Sequence, residues 1–337
     1  MMKTLKKFFV LLLILSLGFA CNEKNQKSLQ HEGQQYKTRN VVIMIMDGAR
    51  YTETWGDPMH QYIPLIAKHI APVSVVCDQF FNEGPTYTNA GHTAITTAFY
   101  EEINNSGFEF PSQPSVFQYY NCSMNVKGPL SYVITSKDKL SILANTRHNE
   151  YKDKFLPAFN CGTDGRGNGS GYRNDSLTCL EALDILRNEH PRLVLINFLE
   201  PDAAGHSGNW EAYLDGIRST DAYIHQVWEF LQTDKFYKDS TTVFITNDHG
   251  RHTDGVLDGF VNHGCPCEGC RHLFMFAAGP DFKRGVTVST HYELIDVAPT
   301  TARLMNFWFP ADLGKPMLDL FDTHEGNTGQ PEVPAQN

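Results

Sequence analysis

Three apolar runs that each lead into an acidic residue constrain this sequence more than any other feature. The runs and their acidic residues are 40–46 with Asp47, 193–199 with Asp202, and 243–245 with Asp248. Unbroken runs rich in Val and Ile are typical of strands buried on both faces of a parallel sheet. Because ligands of open α/β sheets bind at the carboxyl ends of the strands, we expect the three carboxylates to meet at one edge. The sequence therefore predicts an α/β fold around a mostly parallel central sheet.

Two segments between these runs have the apolar spacing of amphipathic helices. Residues 176–187 predict a helix whose inward face is Leu177, Leu180, Leu183 and Leu186. Residues 210–232 predict a longer helix whose core face is Tyr213, Ile217, Tyr223, Ile224 and Val227. Length and composition do not demand a second core, so we predict one folded domain over residues 38–322. Residues 323–337 lack apolar spacing and are predicted to be a disordered tail.

The first 21 residues have the pattern of a signal peptide. Three lysines precede an apolar stretch, residues 8–17, that is too short to span a membrane. The small residues before Cys21 resemble a bacterial lipobox, so Cys21 would carry a lipid and residues 22–37 would form a polar tether. Ordinary cleavage near Ala20, with a soluble product, is the alternative. We expect an exported lipoprotein that is anchored in a membrane and faces the periplasm or the cell surface.

The net charge of −10 argues against binding to a nucleic-acid duplex, because the chain has no basic patch to neutralise phosphates. An acidic chain can still bind a small phosphate ester where metal ions supply the positive charge. The sequence gives no indication of the oligomeric state.

Histidines near the same run ends extend the acidic set into a predicted metal centre. The six candidate ligands are Asp47, Asp202, His206, Asp248, His249 and His263. Six nitrogen and oxygen ligands are enough for two divalent ions, which together stabilise the attacking and leaving oxygens of a displacement at phosphorus. Mixed imidazole and carboxylate ligation suits zinc, with manganese as the alternative.

Thr88 begins a segment of small residues, 88–98, that predicts a closely packed helix. A hydroxyl at the amino end of a helix lies at the positive end of the helix dipole, which favours its alkoxide. Metal coordination would lower the hydroxyl pKa and make Thr88 a nucleophile. The alternative is that Thr88 is an ordinary N-cap.

Five short motifs occur in a fixed order. They are Met46-Asp47-Gly48, Thr88-Asn89-Ala90-Gly91-His92, Asp202-Ala203-Ala204-Gly205-His206, Asn247-Asp248-His249-Gly250 and Asn262-His263-Gly264. In this order they resemble the alkaline phosphatase superfamily, and the resemblance spans residues 41–304. It implies a three-layer α/β/α catalytic domain with Thr88, rather than Thr93, as the nucleophile. The implied ligands are Asp202, His206 and His263 for one metal, and Asp47, Asp248, His249 and the Thr88 oxygen for the other.

The resemblance also suggests how substrate is held. Residues 136–139, Ser-Lys-Asp-Lys, are similar to a Lys-Asp-Arg motif of Thr-dependent periplasmic phosphatases, in which two cations hold the free oxygens of a phosphate. Lys137 and Lys139 would be these cations, although Lys139 lacks the bidentate fork of arginine. Asn104 or Asn105 would donate to the same oxygens. Because two cations suit a monoester dianion, we expect a phosphomonoesterase that acts through a covalent phospho-Thr intermediate.

Two other functions stay open at this point. The segment 263–285 looks most like the nucleotide pyrophosphatase/phosphodiesterase branch, whose diester substrates would need an apolar groove for the second group. A surface lipoprotein that binds phosphorylated or glycan ligands on an inactive enzyme fold is an alternative from a different class. A sulfatase is not indicated, because no Cys-x-Pro-Ser-Arg or equivalent Ser stretch follows the first run.

Eight cysteines are present, and seven remain besides Cys21. Disulfides persist in exported proteins, and an odd number leaves one thiol over or places one on a metal. Cys265, Cys267 and Cys270 could form a local disulfide or hold a third zinc, and we expect the disulfide. His252 is expected to lie at the surface or to support a metal ligand.

Overall fold

The computed structural model describes residues 36–124 and 130–322. The predicted signal peptide with Cys21, nearly all of the predicted tether and the predicted tail lie outside the described residues, so these remain predictions. Within the described residues, nine strands form a single sheet.

The strands are β1 (Asn40–Met46), β2 (Val75–Phe81), β3 (Ser131–Thr135), β4 (Ala158–Cys161), β5 (Leu193–Phe198), β6 (Thr241–Thr246), β7 (His272–Ala278), β8 (Val286–Val288) and β9 (Tyr292–Glu293). Their order across the sheet is β4-β3-β5-β1-β6-β7-β2-β8, and β9 also pairs with β2. The strands from β4 to β6 in this order are parallel. Strand β7 is antiparallel to both of its neighbours, β6 and β2. The predicted mostly parallel sheet is confirmed.

The helices are α1 (Thr88–Thr97), α2 (Val116–Met124), α3 (Asp175–Glu189), α4 (Asp202–His206), α5 (Trp210–Thr233), α6 (Glu268–Arg271) and α7 (Val297–Leu304). Short 3-10 helices lie at Tyr51–Glu53, Ala71–Val73, Asp138–Ala144, Gly259–Val261, Leu294–Asp296 and Leu318–Leu320, and a π-helix lies at Ile66–Ile70.

Strand β1 shows why a continuous apolar run builds this architecture. Successive side chains of a strand point to opposite faces of the sheet. Ile43 and its alternate neighbours pack in a core with α1, α2 and α7, whereas Met44 and its alternate neighbours pack in a second core with α3 and α5. Every residue of β1 is buried as a result. The three-layer α/β/α fold class is confirmed.

The predicted inward face of α3 is partly wrong. Leu177 is 52% exposed and Leu180 is 61% exposed, whereas Leu186 is buried. A strict spacing of three drifts around a helix that has about 3.6 residues per turn, so four such leucines cannot share one face. The buried face instead contains Thr178, Cys179, Ala182, Ile185 and Leu186.

None of the helices within the described residues is both long enough and apolar enough to cross a membrane.

Candidate metal centre

The three predicted acidic residues converge because the strands that precede them are neighbours. Strand β1 lies between β5 and β6, with Met46 paired to Phe198 and Ile45 paired to Thr246. Asp47, Asp202 and Asp248 therefore leave the same edge of the sheet, and all three are buried. Gly48 adopts a positive φ of 72° between them, and its backbone N donates to Asp248 Oδ1 over 3.2 Å. A Cβ on Gly48 would lie 2.8 Å from Asp202, so only glycine allows this approach.

Asp202, His206 and His263 form the first ligand group. His206 Nε2 and His263 Nε2 lie 3.3 Å and 3.6 Å from Asp202 Oδ1, and the two nitrogens are 3.1 Å apart. Asp202 and His206 are the first and last residues of α4, so one turn of helix places both on the same side, Asp202 buried and His206 exposed. Burial, together with the charge of His249, lowers the pKa of His263 to about 2. Its imidazole is therefore neutral, which is the form that binds metals.

Asp47, Asp248 and His249 form the second group. His249 Nε2 lies 3.3 Å from Asp248 Oδ2 and 3.7 Å from Asp47 Oδ1. Asp248 Oδ2 and His249 Nε2 are buried and have no hydrogen-bond partner among the described residues. The rings of His249 and His263 stack with centroids 3.9 Å apart and so join the two groups. Buried ligand atoms that lack a hydrogen-bond partner can bind a cation instead. This geometry therefore suits the predicted pair of divalent ions.

Lys137 lies between the two groups. Its Nζ donates to Asp47 Oδ1 over 2.8 Å, to Asp202 Oδ2 over 2.7 Å and to Thr88 Oγ1 over 3.2 Å. Burial would lower the pKa of Lys137, but Asp202 and Asp47 together raise it above its ordinary value. Burial likewise raises the pKa of Asp202, yet Lys137 and His206 hold it well below its usual range. The lysine predicted to bind substrate thus also contacts two predicted metal ligands directly.

Thr88, the predicted nucleophile, lies within hydrogen-bond distance of Lys137. It is the first residue of α1, with Tyr87 at the N-cap position and no side-chain cap, so the ordinary N-cap interpretation is wrong. Its hydroxyl is buried and accepts from Lys137. Thr93 lies five residues on, about 140° around the helix, and therefore faces elsewhere. Thr88, rather than Thr93, contacts Lys137, the lysine that pairs with Asp47 and Asp202.

Two of the predicted substrate-binding residues, Lys139 and Asn105, contact each other, whereas Asn104 bonds within its own loop. Lys139 Nζ donates to Asn105 Oδ1 over 3.0 Å, and the backbone N of Asn89 in α1 donates to the same oxygen over 3.0 Å. Asn104 turns its side chain to the backbone N of Ser106 instead. Burial, with repulsion from Lys137, lowers the pKa of Lys139 to about 8. Asn105 rather than Asn104 is therefore the asparagine joined to the cationic side of the site.

Three residues of the site were not predicted as site residues. His92 Nδ1 lies 3.2 Å from Asp248 Oδ2. Asn197 Nδ2 donates to Asp47 Oδ2 over 2.9 Å and lies 3.1 Å from His92 Nε2. The guanidinium of Arg251 is fully buried and binds the Asp202 carboxylate. These three side chains orient the carboxylates, which is how groups around metal ligands tune a site.

Comparison with known proteins agrees with this geometry. Residues 171–308 match the family model described as the Metalloenzyme superfamily, and this segment carries five of the six predicted ligands. The curated relatives include 2,3-bisphosphoglycerate-independent phosphoglycerate mutases. That of Gracilaria tenuistipitata var. liui is 27% identical over 146 residues, which are 43% of this chain and 27% of that protein. That of Caenorhabditis elegans is 29% identical over 124 residues, which are 37% of this chain and 22% of that protein. The chain thus spans about a quarter of the length of these relatives.

Solved structures share the fold. The phosphonate monoester hydrolase from Silicibacter pomeroyi superimposes with a TM-score of 0.61 at 14% identity, over 83% of this chain and 76% of that chain. Murine ectonucleotide pyrophosphatase/phosphodiesterase 5 superimposes with a TM-score of 0.61 at 13% identity, over 84% of this chain and 100% of that chain. The predicted resemblance to the alkaline phosphatase superfamily is confirmed by the family match and the fold together.

Proposed function

We propose that this chain is a metal-dependent phosphoric ester hydrolase that transfers the phosphoryl group of a monoester to Thr88. One observation carries the proposal. Thr88 Oγ1 lies 3.2 Å from Lys137 Nζ, and that ammonium group contacts Asp47 and Asp202, one from each ligand group. A hydroxyl at the meeting point of two carboxylate and imidazole groups is the arrangement that a covalent phosphoryl transfer needs.

The residues that would hold the ions are the two ligand groups already described. Their imidazole and carboxylate donors suit zinc, with manganese as the alternative. Bound there, two divalent ions would neutralise the phosphate, lower the pKa of the hydroxyl and stabilise the leaving oxygen.

Residues of this chain would position the nucleophile and the phosphate group. In the first step, Thr88 Oγ1 bonds to phosphorus, the ester P–O bond breaks and the alcohol leaves with the hydroxyl proton. In the second step, water attacks phosphorus, and phosphate leaves as Thr88 regains its proton. Lys137 lies close enough to Thr88 to bind a phosphate oxygen at this position, and Lys139 with Asn105 offers a second anchor beside α1. The amino end of α1 adds a favourable dipole for the anion.

A second candidate, phosphodiesterase activity, is favoured by a specific observation. The loop after Asn105 carries Phe108, which is 83% exposed, and Gly107 of that loop packs against Lys139. An exposed aromatic ring one residue from Gly107 is suited to the second substituent of a diester. The ratio of rates on p-nitrophenyl phosphate and bis-p-nitrophenyl phosphate distinguishes the two activities.

The test of the nucleophile compares Thr88→Ala with Thr88→Ser and Thr93→Ala. We expect Thr88→Ala to lose turnover while it retains its zinc, Thr88→Ser to keep part of the activity, and Thr93→Ala to stay active if it folds. After acid quenching with substrate, the peptide containing Thr88 should gain the mass of one phosphoryl group. Full activity of Thr88→Ala would overturn the assignment. An inactive binding protein would hold no zinc and hydrolyse neither ester.

The same proposal includes export and anchoring through Cys21, which lies outside the described residues. Lipid labelling of the wild-type chain, absent from Cys21→Ala, supports the anchor. Cleavage near Ala20 with an unlabelled, released product contradicts it.

A further inference from the structure

A separate group of side chains of the kind that bind metals lies in the segment from His252 to Cys270. His252, Cys265 and Cys270 place one ligand atom each within 4.8 Å of one another. The Cys267 thiol interacts with those of Cys265 and Cys270. Its Sγ also accepts from the backbone N of Thr253, the residue after His252. Two thiols and one imidazole thus converge, and the third thiol, that of Cys267, interacts with both of the other two.

The distance between two of the thiols fits a tetrahedral metal ion. Zinc binds thiolate sulfur at about 2.3 Å, so the edge between two sulfurs of a tetrahedron is about 3.8 Å. Cys265 Sγ and Cys270 Sγ lie 3.9 Å apart. The sequence Cys-Pro-Cys-Glu-Gly-Cys supplies three ligands from one short loop, as structural zinc sites do.

His252 is oriented as a metal ligand. It is 4% exposed, so the predicted surface location is wrong. Its Nδ1 lies 2.7 Å from Asp258 Oδ1, and Asp258 Oδ2 accepts from Asn262 Nδ2 over 2.5 Å. A carboxylate that holds one ring nitrogen leaves the other nitrogen free for a metal and fixes the tautomer. A disulfide within the loop would leave both this histidine and the third thiol without a role.

We propose that His252, Cys265, Cys267 and Cys270 bind a structural zinc ion, separate from the ions of the candidate metal centre. The expected local disulfide is replaced in this proposal by a Cys3His site. It does not depend on the proposed phosphoryl transfer.

The proposed zinc site would also affect the candidate metal centre, because it lies on the segment that carries His263. The cluster closes the segment between His252 and Cys265, which carries His263. His263 Nδ1 lies 2.9 Å from the backbone O of Thr86, and Thr86 Oγ1 donates to the backbone O of Cys265 over 3.0 Å. A zinc ion at the four ligands would therefore fix the segment that brings His263 to Asp202.

Cobalt(II) substitution of the full mature chain tests the proposal. Cobalt bound to thiolates gives a sulfur-to-metal charge-transfer absorption that nitrogen and oxygen ligands do not give. We expect this absorption in the wild-type chain. We also expect it in a His206→Ala, His249→Ala double variant, which loses ligands only from the candidate metal centre. We expect it to disappear in Cys265→Ser and in Cys270→Ser, together with one zinc ion per chain by elemental analysis.

Cys179→Ala is the matched control, because Cys179 is a buried thiol on α3 that is remote in sequence from the cluster. It should keep the absorption and the full zinc content. The wild-type result alone decides the matter if the serine variants fail to fold. Absence of the charge-transfer band, or a Cys265–Cys270 disulfide in the mass spectrum of the isolated chain, overturns the proposal.

Discussion

At the scale of single residues, Lys139 is a cation held close to its titration point. It is 7% exposed, and burial with the neighbouring charge of Lys137 lowers its pKa to about 8. The lysine is therefore mostly protonated at pH 7 and loses its charge as the pH rises through about 8. A phosphate monoester is already a dianion in that range, because its second pKa is about 6.

We predict that Lys139→Arg removes an alkaline loss of activity. In the wild-type chain, kcat/KM for p-nitrophenyl phosphate should fall as the pH rises above about 8, because the lysine proposed to hold the substrate becomes neutral. Arginine keeps its charge throughout this range, so the variant should stay flat. The measurement is the pH profile of kcat/KM for both proteins. An unchanged alkaline limb in Lys139→Arg would assign that titration to another group.

Arg251 supports Asp202 without being a predicted ligand. Its guanidinium binds the Asp202 carboxylate and the backbone oxygens of Phe260 and Val261, just before His263. We predict that Arg251→Lys weakens zinc binding by about 10- to 100-fold, because groups that orient metal ligands carry effects of that size. Competition with a chromophoric chelator measures the affinity. Arg218→Lys is the control, since Arg218 forms an exposed pair with Asp215 and should bind zinc like the wild type. Equal affinities in all three proteins would contradict this role.

The site residues that can be predicted from the sequence differ physically from those that cannot. The six predicted ligands directly follow strand runs or lie in the Asp-x-x-x-His and Asn-His-Gly motifs, so their residue types alone point to chemistry. His92 had a signal as the last residue of the Thr88 motif, and Arg251 directly follows Asp-His-Gly. Asn197 is one polar residue inside a buried strand, and only the register of β5 beside β1 brings it to Asp47. Its role depends on a contact across the sheet that no local pattern records.

At the scale of elements, α1 approaches the end of β6 more closely than side chains normally allow. A Cβ added to Gly91 would lie 2.4 Å from the backbone O of Asp248 and 2.9 Å from its Cβ. Gly91 therefore lets the helix pack against Asp248, one of the predicted metal ligands. Thr88 and His92 are both carried on this helix, so their distances from the carboxylates depend on the same contact.

We predict that Gly91→Ala lowers kcat by about a hundredfold, since a misplacement of about 1 Å at a reacting group has effects of that order. Alanine is intrinsically the better helix former by about 1 kcal/mol, so the loss would arise from displacement of α1 rather than from the helix itself. The measurements are kcat and the thermal midpoint. Thr97→Ala on the same helix, where the hydroxyl bonds the Thr93 carbonyl, should retain its kcat. A Gly91→Ala enzyme with wild-type kcat would show that the helix can shift without disturbing Thr88.

The arrangement of elements was predictable only in part. Buried runs identified β1, β5 and β6, because strands covered on both faces are apolar throughout. The antiparallel direction of β7 is not encoded in its run, since a buried apolar segment has the same composition in either direction. The exposed Leu177 and Leu180 of α3 show a second limit, because leucines spaced by three do not share one face of a helix.

At the scale of the whole molecule, the sheet gathers charge at one edge. Lys137 follows β3 by two residues, Asp47 follows β1 directly, and Asp202 lies in the helix after β5. Three strand ends are thus tied by one buried ammonium group. The alternation of buried runs and helices predicts the overall fold. The tie through Lys137 is not predictable, because the Ser-Lys-Asp-Lys pattern indicates only a substrate-binding motif.

The final prediction concerns the buried negative charge of Asp47 and Asp202, which both Lys137 and bound divalent ions can neutralise. Removing one partner of a buried ion pair destabilises a protein by about 3–5 kcal/mol, because it leaves an uncompensated buried charge. We predict that Lys137→Met lowers the free energy of unfolding by about this amount in the presence of a chelator. The loss should be smaller in excess zinc, because the ions neutralise Asp47 and Asp202 and stabilise the folded state in proportion to their binding. Urea unfolding of the mature chain, with and without zinc, measures both values.

Lys152→Met is the matched control for this experiment, because Lys152 is exposed and its removal should change neither value. If Lys137→Met loses the same free energy of unfolding with zinc as with chelator, the ammonium group and the ions act independently. Lys137 would then serve only as a structural tie between strand ends. A loss confined to the chelated protein instead means that the lysine compensates the carboxylates when metal is absent and is free to hold a phosphate oxygen when metal is bound.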